Sequence, residues 1–440
     1  MKRASAAHMD AATYRALGHQ LVDQVAGFLE SVPSRPITRD QSPSAVLLAA
    51  AVNPNVGAWA LAPAATEIEA QTVRWIAELI GFPVAAGGLL VSGGNMANIV
   101  CLMAARAAKA DWDVRAEGVA GGSRRLRVYA SAEAHTWIQK AADMAGLGTA
   151  SIRWIATDAQ LRMDVAALRR QIEVDRAAGD IPCLVAGTAG SVSTGAIDPL
   201  REIAAVCHEH GAWFHVDGAY GGFAAAVPDA SDDLRALSLA DSVAVDPHKW
   251  LYAPLEAGCA LVRDPSALRA AFAYHPPYYH FDEHATNYLD YGPQNSRGFR
   301  ALKVWLQMRH VGAAGYRQMI GDDIRLSRAM AEAVKRHDEL ELATQELSIT
   351  TFRYVPRDLR SQVGDPGAEQ HLDALNRAVL DRLQRGGEVF LSNAVIGGRY
   401  LLRAGIVNFH TEQGDIDAVP EIVVRVGREL DAALRGARRV

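Results

Sequence analysis

Between residues 45 and 309, short apolar segments alternate with amphipathic segments of helical period, and this alternation constrains the fold more than any other feature. Strands that alternate with helices form a mostly parallel sheet with helices packed on both faces. The expected strands lie near 88–91, 126–130, 151–155, 182–187, 212–216, 242–246 and 258–262, and the expected helices at 64–80, 95–109, 135–145, 164–178 and 199–210. The pattern predicts an α/β fold that holds its ligand beyond the carboxyl ends of the strands.

The segments on either side of this region predict two smaller parts, so we divide the chain into 1–44, 45–309 and 310–440. Residues 310–440 read as helix, strand, helix, two strands and a final helix, which predicts a smaller α+β domain. Residues 1–44 contain one amphipathic helix followed by a Pro-rich stretch. The apolar stripe of this helix consists of Tyr14, Leu17, Leu21, Val25 and Phe28. A lone helix of this kind needs a partner surface, either on the main body or on a second subunit.

Composition narrows the classes of protein to which the chain can belong. The net charge is −5 with no basic run, which argues against nucleic acid and anionic membranes as partners. The longest apolar run, at 45–52, is far shorter than the ~20 residues of a membrane span, and no secretory signal is expected. The four cysteines form no C-x-x-C pair. We therefore expect a cytoplasmic protein.

The stretch "VDPHKWLYAP" at 245–254 places a lysine directly after an apolar strand. The chain has six lysines against thirty-nine arginines, so it uses arginine where only positive charge is needed. Unlike arginine, a lysine can lose its proton and attack a carbonyl carbon. Lys249 is therefore a candidate nucleophile.

Three other stretches fall at expected strand ends. "LLVSGGNMANIV" puts Gly93 and Gly94 before a helix, where bare amides can bind phosphate. "VYASAEAHTW" places His135 after a strand, and "WFHVDGAYGG" ends a buried strand on Asp217. Pyridoxal phosphate needs amides for its phosphate, a lysine for its aldehyde, a carboxylate for its ring nitrogen and a flat neighbour for its ring. Together the four stretches match those needs, although each alone is a modest signal.

The stretches "SGGNMAN", "AEAH", "GTAGSVSTGAIDPL", "HVDGAYGG" and "ADSVAVDPHKWL" resemble the pyridoxal-phosphate-dependent group II amino-acid decarboxylases. That family includes aromatic-L-amino-acid, tyrosine, histidine and glutamate decarboxylases. The resemblance implies the aspartate-aminotransferase-like fold (fold type I), with a large mostly parallel sheet domain and a smaller C-terminal α+β domain. It also implies pyridoxal 5'-phosphate as cofactor, an amino-acid substrate, and a homodimer whose N-terminal helices wrap the other subunit.

The resemblance also implies residue roles. Lys249 corresponds to the Schiff-base lysine, and Asp217 to the partner of the ring nitrogen. The other expected cofactor contacts are Ala219 and His135 on the two ring faces, Gly93, Gly94 and Asn95 at the phosphate, Ser191 beside the cofactor, and His248. His135 is also an expected catalytic residue, with Lys249 and Tyr288. In the long aromatic loop at 274–293, Tyr288 best matches the lid tyrosine that returns a proton to the substrate carbon. Tyr278, Tyr279 and Tyr291 compete for that role.

Two departures from the family pattern leave alternatives open. Animal members usually have Asn where Asp246 stands, and a carboxylate cannot donate to phosphate, so Asp246 is left out of the expected phosphate contacts. A pocket-lining segment that usually precedes Asn53 is missing. The expected activity is decarboxylation of an L-amino acid, with an aromatic side chain favoured and release of CO2 and the amine. The alternatives are an aldehyde synthase or aminotransferase, or a catalytically impaired protein that only binds the cofactor.

Two further patterns predict structural roles. "CHEHGAWFH" at 207–215 has metal-like spacing, but it fits a helix end with Gly211 as the stop, and no metal is expected. Arg403 could meet a carboxylate at the domain junction, but among thirty-nine arginines a structural role is favoured.

Overall fold

The structure is a computed structural model that describes residues 54–277 and 285–437, together with seven helical, exposed positions between 12 and 23. The apolar stripe predicted for the N-terminal helix lies outside the described residues, as do Tyr278 and Tyr279. Helices and strands are numbered below from residue 54 onward.

A seven-stranded sheet forms the centre of the large domain, with strand order β1-β7-β6-β5-β4-β2-β3. The pairs among β3, β2, β4, β5 and β6 are parallel, whereas β7 runs antiparallel to both of its neighbours, β1 and β6. The strands are β1 (Gly87–Val91), β2 (Leu126–Ser131), β3 (Ile152–Ile155), β4 (Ile181–Thr188), β5 (Trp213–Asp217), β6 (Ser242–Val245) and β7 (Gly258–Val262). The predicted α/β class with a mostly parallel sheet is therefore confirmed.

Helices cover both faces of this sheet because each strand is apolar on both sides. Alternate residues of one strand enter opposite cores: Val243 and Val245 face one core, and Ala244 faces the other. The helices of this domain are α1 (Pro63–Leu79), α2 (Gly94–Lys109), α3 (Val114–Glu117), α4 (Trp137–Met144), α5 (Val165–Ala177), α6 (Leu200–His210), α7 (Asp232–Arg235), α8 (Pro247–Trp250) and α9 (Pro265–Phe272). Burial on both faces is the usual setting of a parallel sheet.

The C-terminal part has its own four-stranded antiparallel sheet, in the order β10-β11-β9-β8, and its own core. Its elements are α10 (Ala301–Lys335), β8 (Leu340–Glu346), β9 (Ile349–Tyr354), α11 (Pro366–Gly386), β10 (Ser392–Ile396), β11 (Arg399–Gly405) and α12 (Gln413–Ala437). Gly312 interrupts α10 with φ 69° and ψ 165°, a conformation that favours glycine. The domain boundary predicted at 309/310 lies beside this interruption.

The five predicted helices and seven predicted strands of the large domain are all present, with ends that differ by a few residues. The strand β8 and the helix α9 were not predicted. The sequence of β8, "LELATQE", is mixed in character, and five of its seven residues are only partly buried. The 3.6-residue period of α9 extends over eight residues, which is too short to stand out.

Strand direction gathers the candidate residues at one edge of the large sheet. Thr188 of β4 pairs with Asp217, and Asp217 pairs with Ala244 of β6, so three parallel strands end side by side. The last residue of β1, Val91, pairs with Gly258, where the antiparallel β7 begins. The turns that follow β1, β5 and β6 therefore meet at this edge, as expected for a ligand site in an open α/β sheet.

Candidate active site

The turn between β1 and α2 needs glycine at two positions, at Gly93 for its backbone conformation and at Gly94 for lack of room. Gly93 has φ 144° and provides no side-chain cap for the helix. A Cβ on Gly94 would lie 2.8 Å from Asp246 Oδ2 and 2.9 Å from Ala219 Cβ, and a Cβ on Gly258 would lie 2.4 Å from the Gly93 carbonyl carbon. The amides at the start of α2 have no partner within the helix, so they are available to an anion. The exposed Asn95 lies on the first turn of α2.

Lys249 lies on α8, a single turn of helix that follows β6 directly. Its Nζ lies 3.1 Å from Oδ2 of Asp246, whose side chain is 3% exposed. The other oxygen, Oδ1, is buried and accepts no hydrogen bond from any described residue. Burial raises the pKa of the Asp246 carboxyl, whereas Lys249 and His248 act to lower it. Asp246 therefore binds the candidate nucleophile with one oxygen and leaves the other free.

His248 is held beside the glycine turn by a hydrogen bond to a backbone carbonyl group. Its Nδ1 lies 2.6 Å from the carbonyl oxygen of Ala257, which can only accept, so Nδ1 carries a proton. Its Nε2 lies 3.7 Å from Asp246 Oδ2, and its Cε1 lies 3.5 Å from the position of a Cβ on Gly93. His248 thus lies beside both Asp246 and Gly93.

Asp217 is the last residue of β5 and is 8% exposed. One carboxylate oxygen, Oδ1, accepts the backbone N–H of Ala219 at 3.1 Å. Ala219 in turn lies against the position of a Cβ on Gly94, which brings the Asp217 turn next to the glycine turn. The structure thereby brings together Lys249, Asp217, Ala219, His248 and the glycine pair.

His215 belongs to this region, although the sequence analysis treated it only as part of a possible metal cluster. Its Nε2 lies 2.7 Å from Asn98 Oδ1 and its Nδ1 lies 2.9 Å from Ser242 Oγ. Ser242 also accepts Nε1–H of Trp213 at 2.8 Å. Complete burial lowers the pKa of His215 to about 4, although nearby Asp217 acts to raise it, so the ring is neutral at pH 7. The sequence does contain a signal that places His215 near the site. His215 lies two residues before Asp217 on β5, and residues i and i+2 of a strand face the same side.

The residues after Lys249 are attached to the C-terminal domain. Trp250 Nε1 and the Tyr252 hydroxyl donate hydrogen bonds of 2.8 Å and 2.7 Å to the same oxygen of Asp323 on α10. Burial raises the pKa of the Asp323 carboxyl to about 6. Tyr220 stacks on Trp250 at 5.0 Å and its hydroxyl lies 2.7 Å from Ser348 Oγ. The orientation of the Lys249 turn therefore depends on the other domain, which the sequence analysis did not foresee.

Ser191 and His135 lie on turns that follow β4 and β2. The buried Ser191 hydroxyl lies 2.8 Å from Thr194 Oγ1, within its own turn. The ring of His135 is exposed, and its Nδ1 accepts the Trp137 N–H at 3.2 Å. Neither residue has a described contact with Lys249 or Asp217. Their proposed cofactor contacts remain predictions.

Tyr288 lies in the protein core, although it belongs to the aromatic loop at 274–293. It is 1% exposed, and the guanidinium carbon of Arg297 lies 4.6 Å from its ring centroid. Arg297 forms a buried ion pair with Glu69, and both residues hydrogen-bond to the backbone of Leu90. Burial raises the pKa of Tyr288 well above its usual value. Its role as proton donor remains a prediction, and no described contact joins it to Lys249.

The remaining patterns have structural explanations. Helix α6 ends at His210 with Gly211 in the left-handed conformation, and Glu209 forms an ion pair with Arg169. Within the residues that the structure describes, no group of three His, Cys, Asp or Glu side chains could hold a metal ion. Arg403 donates to the Val192 carbonyl oxygen at 2.8 Å and to Ser392 Oγ at 3.1 Å. None of the described helices is long and apolar enough to cross a membrane.

The side chains at the sheet edge suit pyridoxal phosphate on structural grounds. The Gly93–Gly94 turn carries no side chain, because a Cβ on Gly94 would collide with Asp246 and Ala219. Its amides are therefore free where a phosphate would bind. Lys249, whose side chain is 40% exposed, can reach an aldehyde. Asp217 has a carboxylate at a strand end for the ring nitrogen. Such a constellation of a lysine, a strand-end aspartate and a glycine turn defines a pyridoxal-phosphate enzyme.

Comparison with known proteins agrees with this class. The Pyridoxal-dependent decarboxylase conserved domain matches residues 40–355. An aromatic-L-amino-acid decarboxylase of Bacillus atrophaeus is 34% identical over 369 residues, which is 83% of this chain and 74% of that protein. A phenylacetaldehyde synthase of a Rosa hybrid cultivar is 30% identical over 370 residues, 81% of this chain and 72% of that protein. The crystal structure of Oryza sativa TDC with PLP and tryptamine superposes with a TM-score of 0.85 at 27% identity, covering 97% of this chain and 100% of that one.

The chain belongs to the pyridoxal-dependent decarboxylase family, because the family domain matches well over half of it. It is thus a carboxy-lyase with pyridoxal phosphate as cofactor and the fold of the group II decarboxylases.

Proposed function

We propose that this protein decarboxylates an aromatic L-amino acid and releases CO2 and the corresponding amine. The observation that carries the proposal is the convergence of Lys249, Asp217 and the Gly93–Gly94 turn at one edge of the sheet. The aromatic preference is supported by the names of relatives, among them the Bacillus aromatic-L-amino-acid decarboxylase.

The proposed roles follow from the position of each side chain. Pyridoxal phosphate supplies an electron-accepting ring when it is bound. Lys249 supplies the amine that attaches the aldehyde carbon covalently, and the amides that begin α2 hold the phosphate. Asp217 keeps a proton on the ring nitrogen, since Ala219 occupies only one of its carboxylate oxygens. Ala219, Ser191, His248, Asn95 and His135 are proposed as the remaining cofactor contacts.

His215 is neutral, so it does not offset the negative charge of the nearby Asp217 carboxylate. Its ring is fixed on both nitrogens by Asn98 and Ser242, and burial keeps its pKa low. A protonated histidine there would offset the carboxylate charge that the ring nitrogen requires. The network therefore preserves the negative charge of Asp217 for the cofactor.

The test is an assay of the holoenzyme over the twenty amino acids, with CO2 release, amine, aldehyde and hydrogen peroxide all measured. Release of CO2 and amine in equal amounts from an aromatic amino acid supports the proposal. Equal aldehyde and peroxide would instead indicate an aldehyde synthase, an alternative favoured by the 30% identity to the Rosa enzyme. Formation of a keto acid without CO2 would indicate an aminotransferase. Normal cofactor binding with no turnover of any amino acid would indicate a catalytically impaired protein.

We propose further that the protein is a cytoplasmic homodimer. All four cysteines are free and buried, which suits a reducing compartment. The N-terminal helix has an apolar stripe without a partner in the neighbouring sequence. Sedimentation should give the mass of a dimer, and deletion of residues 1–36 should give monomers or aggregates. A soluble, active dimer after the deletion would refute the role of the helix.

A further inference from the structure

Asp246 combines three properties that its neighbours do not share. Its side chain is 3% exposed, one oxygen lies 3.1 Å from Lys249 Nζ, and the other accepts no hydrogen bond from any described residue. A buried carboxylate oxygen without a partner costs free energy unless a ligand or a proton occupies it. The free oxygen therefore favours a neutral carboxylic acid at Asp246, or a ligand beside it, over a bare carboxylate.

The position of Asp246 identifies what completes the site. Its Oδ2 lies 2.8 Å from the point where a Cβ on Gly94 would be, so the carboxyl group lies directly against the first residue of α2. The free amides at the start of α2 make this the place where the phosphate of the cofactor binds. A carboxylate at this place would repel a phosphate dianion, whereas a carboxylic acid would donate a hydrogen bond to it.

Lys249 is the nearest source of the proton that this arrangement needs. In the ion pair, the lysine ammonium has a proton to lose before its nitrogen can attack a carbonyl carbon. Transfer of one proton from Nζ to Oδ2 leaves a neutral amine and a neutral acid, so the net charge of the pair stays zero. Oδ2 is also the oxygen that lies against the start of α2. The same transfer thus activates the nucleophile and creates a hydrogen-bond donor.

We propose that Oδ2 of Asp246 accepts the proton of Lys249 and that the resulting carboxylic acid donates a hydrogen bond from this oxygen to the phosphate of the cofactor. This inference rests on the proposed function for the identity of the cofactor, and it revises the sequence expectation that left Asp246 out of the phosphate contacts. The titratable groups that act on Asp246 are Lys249, His248, Asp217 and Cys259. Burial and Asp217 favour the neutral acid, and Lys249 and His248 oppose it.

The test compares pyridoxal phosphate with pyridoxal, which lacks the phosphate group, as ligands of the cofactor-free protein. Both ligands react with Lys249, so the ratio of their dissociation constants isolates the contribution of the phosphate. The phosphate is a dianion throughout pH 7–9, because its second pKa is about 6. The ratio is measured by absorbance titration at several pH values in this range.

In the wild-type protein, the preference for pyridoxal phosphate over pyridoxal should fall as pH rises, by up to about tenfold per pH unit once the acid ionises. In Asp246→Asn the preference should be independent of pH, because an amide donates without titrating. At pH 9 the Asn variant should therefore show a preference about tenfold or more above that of the wild type. Asp246→Ala should also be independent of pH, but with a weaker preference than Asn because it has no donor.

Asp241→Asn is the matched control, since Asp241 lies just before β6, at the opposite end of the strand that Asp246 follows. This control should reproduce the wild-type pH dependence. A wild-type preference that is constant from pH 7 to 9 would overturn the inference without any variant, as would an identical slope in Asp246→Asn. The predicted slope in a protein that turns over no amino acid would refute the proposed function and leave the role of Asp246 intact.

Discussion

The two carboxylates of the site, Asp217 and Asp246, differ in the charge of the groups that the protein places beside them. Asp217 accepts the neutral N–H of Ala219 and follows His215, a neutral ring whose two nitrogens both have partners within 3 Å. Asp246 has one oxygen on Lys249 and one oxygen with no hydrogen bond from the described residues. The protein itself thus stabilises the group whose charge must stay constant. The group whose proton must move is completed by the ligand.

The largest expected effect is that of replacing Lys249, the ion-pair partner of Asp246. Lys249→Ala should abolish covalent attachment of the cofactor and lower the decarboxylation rate by a factor on the order of 10⁴. Borohydride reduction followed by peptide mapping should find the pyridoxyl group of the wild type on Lys249. Lys140→Ala, a change at an exposed lysine of α4, should leave both properties unaltered. A pyridoxyl label on Lys109, Lys140 or Lys303 would end the assignment.

The second prediction tests the fixed charge of Asp217. Asp217→Asn should retain the cofactor, because an amide oxygen can still accept the Ala219 N–H. It should slow decarboxylation by a factor on the order of 10²–10³, since an amide cannot stabilise a cationic ring nitrogen. Single-turnover rates and cofactor dissociation constants measure the two effects separately. If the variant decarboxylates at nearly the normal rate, the comparison between the two carboxylates fails.

The third prediction concerns the hydrogen bonds of His215 to Asn98 and Ser242. His215→Gln should lower the free energy of unfolding at pH 7.5 by about 1–3 kcal/mol, because one of two buried hydrogen bonds loses its partner. The folded-state pKa of His215, about 4, lies below the unfolded value of about 6.5, so the unfolded state takes up the proton first. The histidine therefore loses its stabilising contribution as pH falls from about 6.5 to about 4.

Urea unfolding of both proteins at pH 7.5 and pH 4.5 checks this prediction, and the advantage of the wild type should shrink at the lower pH. The buried Asp198 and Asp323, whose pKa values are raised to about 6, titrate in both proteins, so their effect cancels in the difference. A difference of the same size at both pH values would show that His215 is not held neutral by burial.

The smallest effect is expected at Tyr288, which lies in a closed region like that of His215. Tyr288→Phe keeps the ring that packs on Arg297, so the free energy of unfolding should change by less than about 1 kcal/mol. Its predicted role as proton donor requires that aldehyde, ammonia and peroxide replace part of the amine. Product analysis with Tyr291→Phe as the neighbouring comparison measures this directly. Amine at the wild-type rate from the Tyr288 variant would refute this role and make Tyr291 or His135 the next residue to test.

Much of the site could be predicted because its signals are local in sequence. Lys249 and Asp217 each follow an apolar strand directly, and Gly93 and Gly94 stand between a strand and a helix. Parallel strands then bring such positions to one edge of the sheet. Features of the site that depend on burial could not be predicted. The core position of Tyr288 is an example, because it depends on Glu69 and Arg297, which are far apart in the sequence.

The sequence is enough to predict the α/β class, the order of the elements and the strand-end positions of Lys249 and Asp217, because hydrophobic period and strand-end position are read within ten or twenty residues. The hydrogen-bond partners of the site residues depend on the folded chain. It places His215 on Asn98, 117 residues away, and attaches the Lys249 turn to Asp323 on α10. It also places Asp246 against Gly94, where the carboxyl group keeps one oxygen free. Burial and hydrogen-bond satisfaction are properties of the packed chain, and they determine which of two similar carboxylates keeps its charge and which exchanges a proton.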